Sequence, residues 1–448
     1  MGAQKPYFTR RNSITLRDLF NQDQKYHNAI VGATKLPQPP SVDSEVDKLL
    51  QIISKCNRLF TFADPAESTK DQEEKQQNLS QILTFISSSK QSLDSQLLNP
   101  LISLISTNIF QPLPAPTNQY LPFDPLEDDL PVMTLLPSWP HLEIFYDILS
   151  SLISNTSTKA LKRNQLNQRF LSNLLLRFQS EDPRERVKLK TIYHMLYTKF
   201  THERSFMRKS MNNVFLNFVL EPTNERYFGI SELLEIYGSI INGFAVPLKE
   251  EHKVFFKRVL IPLHKPKGLV AYHRQLCYCV MEFVKKEMQL SEVVLEDVLR
   301  FWPLTNCQKE VLLIGELEEL VEVLEPVPTQ FEKFAVPLCS RITRCLTSCN
   351  SQVAERALYI WNNEKFIKLT SNVINEILPL VVAGMESNLN LHWSKSVQQV
   401  TTIVKTMLEG MYPDLYSKCI QQLRLQEVQL QKKETKRRLR WKQLEMAT

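Results

Sequence analysis

The run from Gly229 to Leu260, GISELLEIYGSIINGFAVPLKEEHKVFFKRVL, constrains the fold more than any other stretch of this chain. Ile230, Leu233, Leu234, Ile236, Tyr237, Ile240, Ile241 and Phe244 recur at helical spacing and cover more than half of the circumference. A helix this apolar has to be buried between neighbours. Gly238 and Gly243 interrupt it, each at a cost of about 1 kcal/mol relative to Ala, which predicts another backbone passing close by. Pro247 ends this helix and opens the next, predicting an αα-hairpin. In the second helix Lys249 and His252 are three apart and share a face, while Phe255, Val259 and Leu260 turn to the core. A basic spot at the lip of an apolar surface suits an extended peptide with apolar anchors and an acid. The same spacing also fits a packed repeat with a solvated Lys and His.

Nine glycines in 448 residues, about 2% against a usual ~7%, argue against a turn-rich β fold. From Trp139 to about Lys442 the chain reads as helix after helix with short breaks. Pro-Leu pairs recur at Pro247-Leu248, Pro262-Leu263, Pro303-Leu304, Pro337-Leu338 and Pro379-Leu380, the larger gaps being 41, 34 and 42 residues. That is close to the ~40-residue period of HEAT or armadillo repeats, and roughly 300 residues hold about seven or eight of them. The fold expected is all-α, a HEAT-like helical-repeat solenoid or superhelix.

Residues 1–45 are polar and lack sustained periodicity, so they read as a mobile N-terminal arm. The repeat domain then spans 46–446, opening with a helix at Val46–Phe60 and two more over 78–110. A proline-rich connection follows at 112–140, holding 8 of the 25 prolines. Its acidic trio, Glu127, Asp128 and Asp129, reads as a solvated loop. A basic helix runs from about 414 to 446. Its segment KKETKRRLRWK (432–442) holds seven basic residues and one acid, which equals the net charge of +6 of the whole chain. The remainder is neutral, which argues against a broad nucleic-acid-binding surface. The basic run reads as a solvated helix face, with a nuclear import signal or an anion-binding arm as alternatives.

Met1-Gly2 has Pro6 where a myristoylation signal wants Ser or Thr. Arg10-Arg11-Asn12-Ser13 matches a basophilic kinase site, making Ser13 a candidate phosphosite. Eight scattered cysteines read as reduced thiols of a cytosolic or nuclear protein, and the eight histidines supply no metal-ligand cluster. No apolar run reaches the ~18 residues of a membrane span, so the protein is expected to be soluble and intracellular. Nucleophile elbow, P-loop, kinase loop, HExxH and dinucleotide fingerprint are all missing. The chain is therefore expected to be no enzyme, to need no cofactor and to bind no metal. Glu235 and Glu355-Arg356 look like ion-pair partners between repeats.

Four long segments carry a resemblance: SEDPRERVKLKTIYHMLYTKF (180–200), ELLEIYGSIINGFAVPLKEEHK (232–253), FWPLTNCQKEVLLIGELEELVEVLEP (301–326) and QVAERALYIWNNE (352–364). All are similar to the B-prime regulatory subunits of protein phosphatase 2A. KCNRLFTFADP (55–65) and Lys75 mark where the likeness begins, and it extends over about 46–446. The resemblance implies a HEAT-like superhelix and a non-catalytic, substrate-targeting subunit working in the cytoplasm and nucleus. Its implied partners are the scaffold (A) subunit, the catalytic (C) subunit and substrate proteins bearing short linear motifs of the form Leu-x-x-Ile-x-Glu. It further implies that the motif is held by His194, Tyr197, Arg204, Glu235, Ile236, Ile240, Lys249 and His252. One departure stands out: the family's His-Arg-Ile-Tyr is His194-Met195-Leu196-Tyr197 here. A missing charge-assisted bond of about 1.5–3 kcal/mol would weaken a motif peptide roughly 10- to 150-fold. EPTNERYFG (221–229) also departs from the family's usual hairpin. The rival readings are a helical-repeat adaptor unrelated to phosphatase and a diverged paralogue that no longer assembles with it.

Overall fold

Short polar residues start many of the helices. Asn167, Asp182, Asn306, Asn350 and Asn363 each accept a hydrogen bond from a backbone amide two or three residues on, satisfying donors that a helix start leaves open. The computed structural model describes residues 42–60, 62, 67–88, 95–114, 135–163, 166–220, 228–324 and 332–447. Ser13, the acidic trio at 127–129 and residues 221–227 lie outside the described residues.

The described residues form nineteen α-helices and no strand. The first part holds α1 (Val42–Lys55), α2 (Thr69–Ser88), α3 (Ser95–Ile109), α4 (Trp139–Asn155), α5 (Thr158–Arg163), α6 (Gln168–Leu176), α7 (Pro183–Lys199) and α8 (Arg204–Leu220). After these come α9 (Ile230–Asn242), α10 (Glu250–Phe255), α11 (His273–Lys286), α12 (Leu290–Arg300), α13 (Cys307–Val323) and α14 (Glu332–Leu346). The chain ends with α15 (Ser351–Tyr359), α16 (Glu364–Ser371), α17 (Ile374–Leu391), α18 (Lys395–Met411) and α19 (Pro413–Ala447). The first helix starts at Val42 and stops at Lys55, a few residues earlier at each end than the apolar pattern alone suggests.

The helices stack in two rows. In one row α2, α4, α7, α9, α11, α13, α15 and α18 each touch the next. In the other, α12, α14, α17 and α19 do the same, with α6 and α8 ahead of them. This is the HEAT-like solenoid, in which a helix pair buries its apolar side only against the next pair. Pro337 and Pro379 lie inside α14 and α17, neighbours in the second row. Pro262 instead opens a 3-10 turn and Pro303 lies between α12 and α13. The Pro-Leu pairs mark the repeat without holding one fixed place in it.

In α9 the expected burial is complete. Leu233, Leu234, Ile236, Tyr237 and Ile241 all face the core, with α7 on one side and α11 on the other. The glycines act differently from expectation. A Cβ on Gly238 would come within 2.8 Å of Tyr278 Cε1, so an aromatic ring of α11, and not a backbone, fills that space. Gly243 simply caps α9, which ends at Asn242 and leaves Phe244 in the loop.

Polar ties join neighbours in the row. Lys190 Nζ donates to Glu235 at 2.7 Å, Arg186 Nε to Glu232 at 2.8 Å and Arg356 Nη2 to Glu318 at 2.6 Å. Glu235 and Arg356 are thus the inter-repeat ion-pair partners the sequence suggested; among the described residues Glu355 makes no such bond. A buried group centres on Glu316, which receives His264 Nε2 at 3.0 Å and His273 Nε2 at 2.9 Å. His264 Nδ1 also lies 2.7 Å from the Ile261 carbonyl. Both of its partners only accept, so both ring nitrogens carry protons. Burial alone would lower His264, but Glu316 outweighs it and raises its pKa. Burial alone would raise Glu316, yet the two imidazoles hold it well below the usual carboxylate range.

Two outcomes follow from this packing. Gly238→Ala gains about 1 kcal/mol of helix propensity but presses on Tyr278. It is expected to lower stability by a net ~1–3 kcal/mol in urea denaturation, with partial recovery when Tyr278 is also shortened to Leu. The stabilisation from Glu316, whose pKa is depressed, is present above the unfolded carboxylate value of about 4.3 and lost as pH falls below it. That from His264, whose pKa is raised, is present below about 6.5 and lost as pH rises through the raised value. The cluster therefore holds the fold most firmly between about pH 4.5 and 6.5. Glu316→Gln should flatten the pH dependence of the urea midpoint across both limbs, and an unchanged profile would refute this assignment.

Candidate functional site

Four helix ends meet in one place: the C-terminus of α7, the N-terminus of α8, the C-terminus of α9 and the start of α10. They enclose a cleft of about 430 Å³ lined by His194, Tyr197, Thr198, Arg204, Arg208, Ser239, Ile240, Gly243, Phe244, Ala245, Lys249, Glu251 and His252. The α7 end leaves open carbonyls, and Arg204 satisfies two of them, donating from Nε to Tyr197 O at 3.0 Å and from Nη2 to Thr198 O at 3.1 Å. The same guanidinium stands 5.3 Å over the Tyr197 ring. Arg208, one turn further along α8, donates from Nη1 to the Tyr197 hydroxyl at 3.0 Å. Its own carbonyl accepts from the Tyr237 hydroxyl at 3.3 Å, fixing that turn of α8 against α9. The arginines and the tyrosine are thus a preformed unit.

On the opposite wall the Phe244 and His252 rings stack at 3.7 Å and 4°. His252 Nε2 is 3.4 Å from Glu251, while Nδ1 is buried with no hydrogen-bond partner among the described residues. Burial holds His252 below its usual pKa; Glu251 pulls it back up, and Arg208 and Lys249 push it further down. Burial and then Lys190 lower His194 in the same direction. Both shifts favour the neutral imidazole over the charged one. The cations of the cleft are Arg204, Arg208 and the exposed Lys249.

Six of the residues named from the resemblance converge here: His194, Tyr197, Arg204, Ile240, Lys249 and His252. Glu235 and Ile236 do not. Glu235 is engaged by Lys190 and by Gln275 Nε2 at 3.2 Å, and Ile236 is 2% exposed in the core. Ile236 and Ile240 share a face of α9, but only the last turn of that helix reaches the cleft. Met195 is half-buried and outside the lining, with its sulfur 3.5 Å from Ser150 Oγ on α4. Thr198, Arg208, Ser239, Gly243, Phe244, Ala245 and Glu251 are the lining residues that sequence reasoning did not assign to the site. Arg208 had a signal, since it follows Arg204 by one turn; Phe244 was hidden by its place in the apolar pattern.

Among the described residues no group of three or more His, Cys, Asp or Glu is placed to hold a metal ion. No described helix is long and apolar enough to cross a membrane. The family model of the protein phosphatase 2A regulatory B subunit (B56 family) matches residues 34–448. The B′ beta isoform of the Arabidopsis thaliana 57 kDa regulatory subunit of protein phosphatase 2A is 43% identical over 397 residues, covering 88% of this chain and 79% of that protein. The B′ alpha isoform of the same plant is 41% identical over 436 residues, 94% of this chain and 87% of its own length. The alpha isoform of the Homo sapiens 56 kDa regulatory subunit is 41% identical over 414 residues, covering 92% and 83%. With a solenoid fold and a likeness running almost end to end, the chain belongs to the B56 family of protein phosphatase 2A regulatory subunits and is a regulatory, non-catalytic member of it.

Proposed function

We propose that this chain is a substrate-targeting subunit of a phosphatase 2A heterotrimer, and that the α7–α10 cleft takes short linear motifs resembling Leu-x-x-Ile-x-Glu. The observation that carries this is the pairing of an apolar floor with fixed cations. Tyr197, Ile240 and Phe244 offer surface to aliphatic anchors. Arg204 and Arg208, locked by hydrogen bonds to Tyr197, present donors without the entropic cost of ordering two long side chains. Lys249, exposed at the rim, meets an acid as a point charge. His252, stacked on Phe244, extends that wall with a second flat ring. The chain's role is then to hold a client beside the catalytic (C) subunit, joined through the scaffold (A) subunit, so that Ser/Thr dephosphorylation is directed to it.

Affinity purification of the full chain from cells is expected to bring down a scaffold and a catalytic subunit with okadaic-acid-sensitive phosphatase activity. A folded helical protein without them would favour the unrelated adaptor or diverged paralogue. A labelled Leu-x-x-Ile-x-Glu peptide titrated against variants tests the cleft separately. Arg208→Glu should weaken it by about 10- to 100-fold, the loss of a charge-assisted bond. Met195→Arg, which frees the side chain from Ser150 and restores a cation beside His194, should strengthen it by about tenfold or more. A wild-type affinity in both variants would remove the peptide from this cleft.

A further inference from the structure

The last helix carries a surface that the proposed peptide cleft does not use. α19 packs on α17 and α18 through its opening turns, where Tyr416 and Cys419 are buried. From 424 to 446 every residue is exposed along about 34 Å of helix. Seven of the residues at 432–442 are basic and one is acidic. Lys432 and Lys436, Lys433 and Arg437, Lys436 and Arg440, and Arg438 and Lys442 are like charges four apart, which repel along a helix. Against them stands the exposed contact of Arg438 with Glu434 at 3.3 Å. A helix this charged gains stability from an anionic partner.

The apolar residues decide what shape that partner has. Val428, Leu439 and Met446 fall on one side of α19, since separations of eleven and seven residues return to nearly the same direction. Leu430 and Trp441, also eleven apart, fall on the opposite side. All five, together with Leu425 nearer the first side and Leu444 nearer the second, are large and between 47% and 86% exposed. A flat surface such as a bilayer covers one of these stripes and leaves the other in water, and membrane-lying helices have a single apolar face. A nucleic acid would use the cations and leave both stripes wet; the rest of the chain adds no net positive charge to widen its footing. A protein that closes on the helix from both sides covers both stripes and meets the cations between them.

We infer that residues 424–446 of α19 are a docking helix for an acidic protein that encloses a helix between two apolar lobes. The class has a ready probe in calcium-loaded calmodulin, whose Met-rich grooves accept basic helices with apolar anchors. Titrated with the full chain, it is expected to bind one to one in calcium and to release on chelation. Trp441→Ala and Leu439→Ala remove one anchor from each stripe without changing charge. Each should weaken binding by roughly 30-fold, as loss of a buried anchor does. Paired Lys436→Glu and Arg437→Glu should weaken it as much, with an unchanged helical spectrum showing that the body remains folded. Absence of binding would overturn the inference. So would binding that both apolar variants leave intact, or tighter binding to a duplex RNA or to phosphatidylserine vesicles, which would assign the helix to a polyanion.

Discussion

The contact between successive helices of the first row is what the remaining structure depends on. A helix such as α9, apolar over more than half its surface, has no stable existence alone; α7 and α11 cover it from two directions. Each fully covered Leu or Ile contributes about 1.5–3 kcal/mol relative to exposure, and the row repeats this at every step. Register along the row is set by polar ties between neighbouring helices of the row. Lys190 and Gln275, from the helices before and after, both reach Glu235. Arg356 reaches back to Glu318 in the same manner. Apolar packing alone would tolerate sliding, whereas directional bonds at about 3 Å do not.

The cleft is a consequence of that register. Helix ends carry unsatisfied carbonyls and amides, so polar side chains gather there to satisfy them. At the end of α7 this duty falls to Arg204, and Arg208 then fixes the Tyr197 ring. Across the gap, Gly243 stops α9 just early enough for Phe244 to leave the helix and lie on His252. Moving α9 one turn against α7 would separate these two walls. The site is therefore made by the stacking, and Tyr197 and Ile240 in its lining are themselves part of the buried core.

Charge is distributed with a sharp contrast between body and tail. Inside, several ionised groups are matched: Arg177 with Glu185, which also accepts from the Tyr146 hydroxyl, and Glu316 between two histidines. Such buried groups return little net stability against their desolvation, but removing one partner strands the other. They act as locks on a single arrangement of neighbouring helices. In α19 beyond residue 424 the opposite holds, with cations crowded at helical spacing and apolar residues left in water. The body is organised around its own contacts, and the tail is organised for contacts with something else.

Much of this was legible in the chain. Helical periodicity, scarce glycine and a spacing near 40 residues determine an all-α repeat, because those features act within one helix or between one pair and the next. The long shared segments determine the family, and with it His194, Tyr197, Arg204, Ile240, Lys249 and His252 as residues that meet. What only the tertiary structure decided is which neighbour covers each face. Periodicity places Ile236 and Ile240 on one side of α9, but it does not say that the cleft reaches only the last turn. It names Gly238 as a place of close approach without saying that the Tyr278 ring fills it. It makes Glu235 available, while the Lys190 ammonium takes it away from the cleft, and the stack turns Met195 towards α4. A residue's own spacing specifies its direction from the helix axis. What lies in that direction depends on atoms about 40 residues away along the chain, whose position is set by the stack and not by the local sequence.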